Sequence, residues 1–231
     1  MTRDADLQRR VLAVRCPAWQ PSGQQASGRQ TSGQQASGPE ARAFEQVVSA
    51  VQEFCPRIEV VRPGICAFGA RGPAGYFGGE AELGRKITEV VNRLGIDCAV
   101  GVADGLFAAL LASRDALIEL PPAGPSGPLA GTPGPPAGSR LTAPPVRVVS
   151  PGGTPAFLAP RAVTVLGEPD LADLLVRLGI RTLGEFAAVP AAEAGNRFGA
   201  QGLIAHRLAR GLDPRPLVVG PPPADLSVQV E

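Results

Sequence analysis

Two stretches of this chain offer nothing to a packed core, and they decide how the remainder can fold. From Pro21 the sequence runs PSGQQASGRQTSGQQASGPE, with SGQQASG at 22–28 and again at 32–38. Gln, Ser and Gly in this rotation present no face to bury, so residues 21–40 read as a flexible low-complexity linker. A polar β-zipper is the weaker alternative, because glycine returns every five positions. Residues 121–145 (PPAGPSGPLAGTPGPPAGSRLTAPP) are rich in Pro and Gly and read as a disordered loop. The foldable chain is therefore much shorter than 231 residues. It is cut into a short first strand within 1–20, a unit at 41–120 and a unit at 146–219, with 220–231 left over.

Within these pieces the periodicities are clear. Val11–Val14 (VLAV) is a short apolar strand ending at Arg15-Cys16-Pro17. In 40–54, Phe44, Val47, Val48, Val51 and Phe54 have the spacing of an amphipathic helix. Ile58–Val61 and Ile65–Phe68 flank Arg62-Pro63-Gly64, a turn signal in which Pro presets φ and Gly accepts a positive one. A second helix carries Leu83, Ile87, Val90, Val91 and Leu94 on one stripe. IDCAVGVAD (96–104) is a strand that runs directly into the helix GLFAALLASR. The expected fold is α+β, with helices on one face of a mainly antiparallel sheet. After 145, VRVVSPGG resumes a strand and the chain then turns helical. Leu171, Leu174, Leu175 and Leu178 mark one helix and Gly179 stops it. Thr182-Leu183-Gly184-Glu185 is a capping box that opens the next. The final ADLSVQVE alternates like a strand.

Composition limits the chemistry. Net charge is +1, so no basic face follows from the count, and a nucleic-acid partner would have to meet a local patch or backbone amides. Cys16, Cys55, Cys66 and Cys98 form no CxxC pair and His206 is the lone histidine, so a zinc site is not expected and reduced, partly buried thiols are. His206 in LIAHRLARGLD suits packing or surface better than catalysis. No apolar run reaches transmembrane length and the start is not secretory, so the expectation is a soluble cytoplasmic protein without a membrane partner.

GVADGLF (101–107) fits neither the P-loop nor the dinucleotide fingerprint, and Lys86 is the only lysine. No cofactor is expected. The acids Glu53, Glu59, Glu80, Glu82, Asp97 and Asp104 are scattered. A two-metal site needs carboxylates that hold cations about 4 Å apart, and exposed solvating acids are the simpler reading. The helix–hairpin–helix at 168–190 is the most informative motif. Amides at Gly179, Ile180, Arg181, Thr182 and Leu183 would receive a DNA phosphate, with Arg181 adding charge. The same pattern equally describes an ordinary αα-hairpin.

LAVRCPAW, the run from Ala41 to Glu80, CAVGVADGLFAALLASR, PGGTPAFLAP and LADLLVRLGIRTLGEFAAVP…RFG…HRLARGLDPRPL follow one another in an order that resembles the Y-family (translesion) DNA polymerases, most closely their ImuB-like branch. The resemblance covers roughly 11–19 and 41–219. It implies a polymerase palm over 11–119, a helical thumb over about 151–217 and a little finger starting near Leu226. Active members carry acids where Arg15 and Pro17 stand here, and an Asp-Glu pair where Gly64 and Ile65 stand. These four positions are therefore read as vestigial, with no catalytic or metal-binding residue left. The fingers that should lie between Trp19 and Glu40 are replaced by the repeat, and the little finger is not reached. The implied function is that of a catalytically inactive homologue serving DNA repair and translesion synthesis. It would bind DNA weakly and without sequence preference, as an adaptor to a sliding clamp and an error-prone replicative polymerase. The alternatives are an active nucleotidyltransferase using displaced acids such as Glu59 or Asp97, and a truncated remnant without function.

Overall fold

The computed structural model describes residues 10–19, 39–118, 145–214 and 217. The expected linker, most of the Pro/Gly-rich loop and the final alternating segment lie outside the described residues. A five-stranded sheet has the order β2-β3-β1-β4-β5, formed by Arg10–Arg15 (β1), Glu59–Arg62 (β2), Ile65–Gly69 (β3), Ala99–Asp104 (β4) and Val146–Val148 (β5). The first four pair antiparallel and β5 joins β4 in parallel. The class is thus α+β with a mainly antiparallel sheet. Strand β5, assigned by sequence to the helical unit, is instead an edge of this sheet.

The sheet is covered on both faces, not one. Leu12, Val14, Cys66, Phe68, Val100 and Val102 pack with helices α1 (Pro39–Gln52) and α3 (Glu80–Arg93). Val11, Ala13, Ala67 and Ala103 face helix α4 (Leu106–Ile118). The side chains on each strand alternate between the two layers, as strand geometry requires. The reason α4 can lie so close is Gly101. A Cβ there would run into the backbone of α4 at Ala109 and Ser113, and stand 2.8 Å from the carbonyl carbon of Ala112. The α3 stripe buries Leu83, Ile87 and Val91 fully, while Leu94 is exposed. A short helix, α2 (Arg71–Phe77), was not expected in RGPAGYF. Its proline sits in the first turn, where a missing N–H is tolerated.

Five helical segments follow: α5 (Thr154–Leu158), a 3-10 turn at Val163–Leu166, α6 (Pro169–Arg177), α7 (Leu183–Ala188) and α8 (Ala191–Ala209), the last kinked at Gly199. Leu158, Val163, Leu175, Leu183, Phe186, Ala194 and Ala205 join the α4-side core, so sheet and helical unit share one apolar interior. The leucine stripe of α6 is only half used, because Leu175 is buried whereas Leu174 and Leu178 are exposed. His206 is a packing histidine. It is buried, its Nε2 lies 2.7 Å from the Val189 carbonyl and its ring meets Phe186 edge-on. Among the described residues no helix is long and apolar enough to cross a membrane.

Candidate nucleic-acid interface

The end of β1 and the tip of the β2–β3 hairpin meet. Arg15 is the register partner of Ile65 on one side and of Ala99 on the other. The Cys16 amide donates to the Gly64 carbonyl at 2.8 Å. Arg15, Gly64 and Ile65, the positions the sequence reading took as vestigial, are therefore neighbours, with Pro17 beside them in a 3-10 turn, Pro17–Trp19. Gly64 holds φ 81, and a Cβ on it would lie 2.6 Å from the Trp19 Cβ. An acid at Gly64 thus has neither the conformation nor the room.

Arg15 points to the α4 face and is only 7% exposed. Its Nε donates to Ser113 Oγ and its Nη2 to the Leu110 carbonyl, both at 3.1 Å. Burial, with help from the like charges of Arg62 and Arg114, lowers its pKa to about 10. Arg62 is opposite Ile65, which is opposite Arg15, so the two arginines share one row of the sheet. These residues do not fit the metal ions of a polymerase site: the corner holds cations where carboxylates are needed. Among the described residues no group of three or more acids, cysteines and histidines is arranged to hold a metal. Glu59 lies on β2 and Asp97 precedes β4, with β3 and β1 between, which is about 14 Å at normal strand spacing. They do not converge on one two-metal centre. Asp104 is at the opposite end of the sheet, tied to Arg10.

The hairpin at 179–183 forms with α6 and α7 as its arms, but its amides already have partners. Gly179 N–H donates to Val176 O, Ile180 to Leu175 O and Leu183 to Arg161 O. Arg181 and Thr182 N–H both donate to the Glu185 carboxylate, at 2.7 and 2.9 Å. These bonds, made by the backbone of Arg181 and Thr182, hold the Glu185 carboxyl below its usual range. All five amides that the sequence offered to a phosphate thus have partners within the chain. The chain's own carboxylate fills the position an anion would take at this helix start. What remains free to meet a partner is the exposed Arg181 side chain. The capping box makes a simple check. Thr182→Ala should lower stability by about 1 kcal/mol, read from urea denaturation, because the Thr182 Oγ1 that accepts from Glu185 N–H is lost.

The turn after β4 follows the same rule. The Phe107 amide, in the first turn of α4, donates to Asp213 from the end of the helical unit, and a Cβ on Gly105 (φ 97) would collide with that carboxylate. The GVADGLF turn is closed by an internal acid. The residues that sequence reasoning passed over are Arg114 and Ser113 on α4, which no local motif marks. Arg62 stood inside the quoted hairpin but was read only as a turn flank.

No family model matches this sequence. Among solved structures it is similar to DinB from Sulfolobus solfataricus, with 20% identity, a TM-score of 0.55, and 76% of this chain and 46% of that one covered. The fold is shared with Y-family DNA polymerases. A ternary complex of Dbh matches with a TM-score of 0.54 over 76% of this chain and 46% of Dbh, and a Y-family chimera of Dbh and Dpo4 matches at 0.53 and 19% identity over 76% and 45%. The chain spans a little under half the length of these solved polymerases.

Proposed function

We propose that this protein is a non-polymerising, DNA-binding homologue of the Y-family polymerases, of the ImuB-like kind, that serves DNA repair and translesion synthesis as an adaptor. The observation that carries this reading is Arg15. A buried cation stands at the strand end where the resemblance puts a metal-binding acid, next to a glycine turn that Trp19 closes against replacement. A cation there opposes Mg²⁺, and phosphoryl transfer depends on metal and positioning for nearly all of its catalysis. The runner-up, a nucleotidyltransferase with displaced acids, is disfavoured by the separation of Glu59 from Asp97. The expected partners are DNA, a sliding clamp and an error-prone replicative polymerase.

The test is primer extension on a primed template with Mg²⁺ or Mn²⁺, run beside fluorescence anisotropy on the same DNA. The expected result is no templated incorporation together with binding that ignores sequence. With two or three phosphate contacts, raising salt from 50 to 200 mM should weaken binding about 10- to 40-fold. Incorporation of any dNTP would overturn the adaptor reading, and absence of binding at 50 mM salt would overturn the DNA-binding one.

A further inference from the structure

We propose that Arg15, Arg62 and Arg114 form a metal-free phosphate site at the end of β1, so that the corner equated with a polymerase's metal centre holds the phosphate ester itself. This deepens the DNA-binding reading and rests on it, while the site can be tested apart from it.

The reasoning is one of unmet charge. Arg10 and Arg161, the next most buried arginines among the described residues, hold carboxylates: Arg10 those of Glu80 and Asp104, and Arg161 that of Asp115. Arg15 is more buried than either, yet among the described residues it is bonded only to a hydroxyl and a carbonyl. Its Nη1 has no partner there and is not sealed from solvent. Its charged neighbours are two more arginines, which raise the cost of its charge. A buried cation with like-charged neighbours is stabilised by an anion.

Geometry brings the three together from three elements. Arg15 and Arg62 share a row across β1, β3 and β2. Arg114 follows Ser113, the residue that receives Arg15 Nε. Arg62 and Arg114 are exposed, and both stand close enough to Arg15 for their charges to lower its pKa. Guanidinium forks suit phosphate oxygens, which they meet in pairs. The contrast with the helix starts strengthens the assignment. At α7 and α4 the protein supplies Glu185 and Asp213 as internal anions, but among the described residues no acid bonds to Arg15 at the end of β1.

Trp19 is the only tryptophan and its Cβ lies against Gly64, so its fluorescence reports on this corner. The experiment uses the full chain without divalent metal. Pyrophosphate, dATP and a labelled single-stranded 20-mer DNA are titrated in turn, followed by Trp19 emission and, for DNA, by anisotropy. The variants are Arg15→Met, the double substitution Arg62→Ala with Arg114→Ala, and Arg93→Ala at the end of α3 as a control. We expect the 20-mer to perturb Trp19 and to bind at least 10-fold more weakly to the double variant, with a salt slope shallower by about 1.4, while Arg93→Ala changes binding less than 2-fold. Because Arg62 and Arg114 are exposed, that comparison holds even if Arg15→Met folds poorly. A response to dATP of equal strength would support the site and name a nucleotide as its source. A Trp19 response to pyrophosphate that needs Arg62 and Arg114, with no DNA binding, would keep the site and remove the DNA reading. DNA binding that the double variant leaves unchanged would overturn the site and spare that reading.

Discussion

Gly101→Ala is expected to lower stability by about 3 kcal/mol or more, and Gly101→Val to abolish folding. One methyl group in the centre of β4 meets backbone atoms of α4, not the movable end of a side chain. Overpacking of this kind is relieved only by lifting the helix from the sheet, and that exposes Ala13, Ala103, Ala108 and Ala112 together. The comparison is Gly69→Ala at the end of β3, where an added Cβ meets nothing within 4 Å and the change should stay within about 0.5 kcal/mol. Urea denaturation of the two variants beside the parent decides the matter. Equal effects at the two glycines would mean that α4 does not rest on β4 as described.

Raising the pH above 9 should unfold the protein in a way set by its thiols. Cys16, Cys66 and Cys98 are buried on the α1–α3 face of the sheet. Burial pushes Cys16 and Cys66 from an ordinary 9.0 up to about 12, and raises Cys98 as well. The folded state thus keeps these protons where the unfolded chain releases them. The contribution of Cys16 and Cys66 is fully present below pH 9 and is lost as pH climbs from 9 to 12, and Cys98 acts in the same direction. Cys16 and Cys66 each contribute a slope of about 1.4 kcal/mol per pH unit, up to about 4 kcal/mol apiece. Arg15 works in the opposite sense, because its folded pKa of about 10 lies below its ordinary 12.5, but its gain begins only above pH 10. The thiols dominate first. Against a total stability of about 5–15 kcal/mol, unfolding is expected near pH 10–11, followed by circular dichroism. Cys16→Ala combined with Cys66→Ala should flatten the decline. Stability that stays level between pH 8 and 10 would refute the account. At pH 8 the same burial should protect all four thiols from iodoacetamide until the chain opens.

How much could be read in advance depends on whether a signal was local. The β2–β3 hairpin was legible because Pro63-Gly64 announces a turn between apolar runs. The meeting of Arg15 with Ile65 was legible only through resemblance, since nothing local tells which strand β1 will pair with. Helix α4 defeated the reading of its face: LFAALLASRDALI is apolar nearly all round, so periodicity does not say which layer it joins. The signal was Gly101, a glycine amid apolar strand residues, which marks close backbone approach. Strand β5 has three residues and a parallel partner far away in sequence, so no pattern of its own ties it to the sheet. The hairpin at 179–183 holds a different lesson. T-x-x-E at Thr182 and Glu185 was recognised as a capping box, and a capping box uses the same amides a phosphate would need. The two readings competed for one set of N–H groups, and the nearer carboxylate holds them.

The place of β1 in the sheet has a consequence for the protein's synthesis. It leaves the ribosome before the other described strands, yet it lies between β3 and β4 and is buried on both faces. Its first residue, Arg10, closes against Asp104, 94 residues later. At roughly 5–20 residues per second, Val11-Leu12-Ala13-Val14 waits about 3–11 s before β3, the nearer of its two partners, has been made. For that interval the nascent chain carries an apolar strand with two open edges, the kind of segment that chaperones hold and that pairs with other chains. Yield in the cell should therefore depend on chaperone supply more than the stability of the finished protein would suggest.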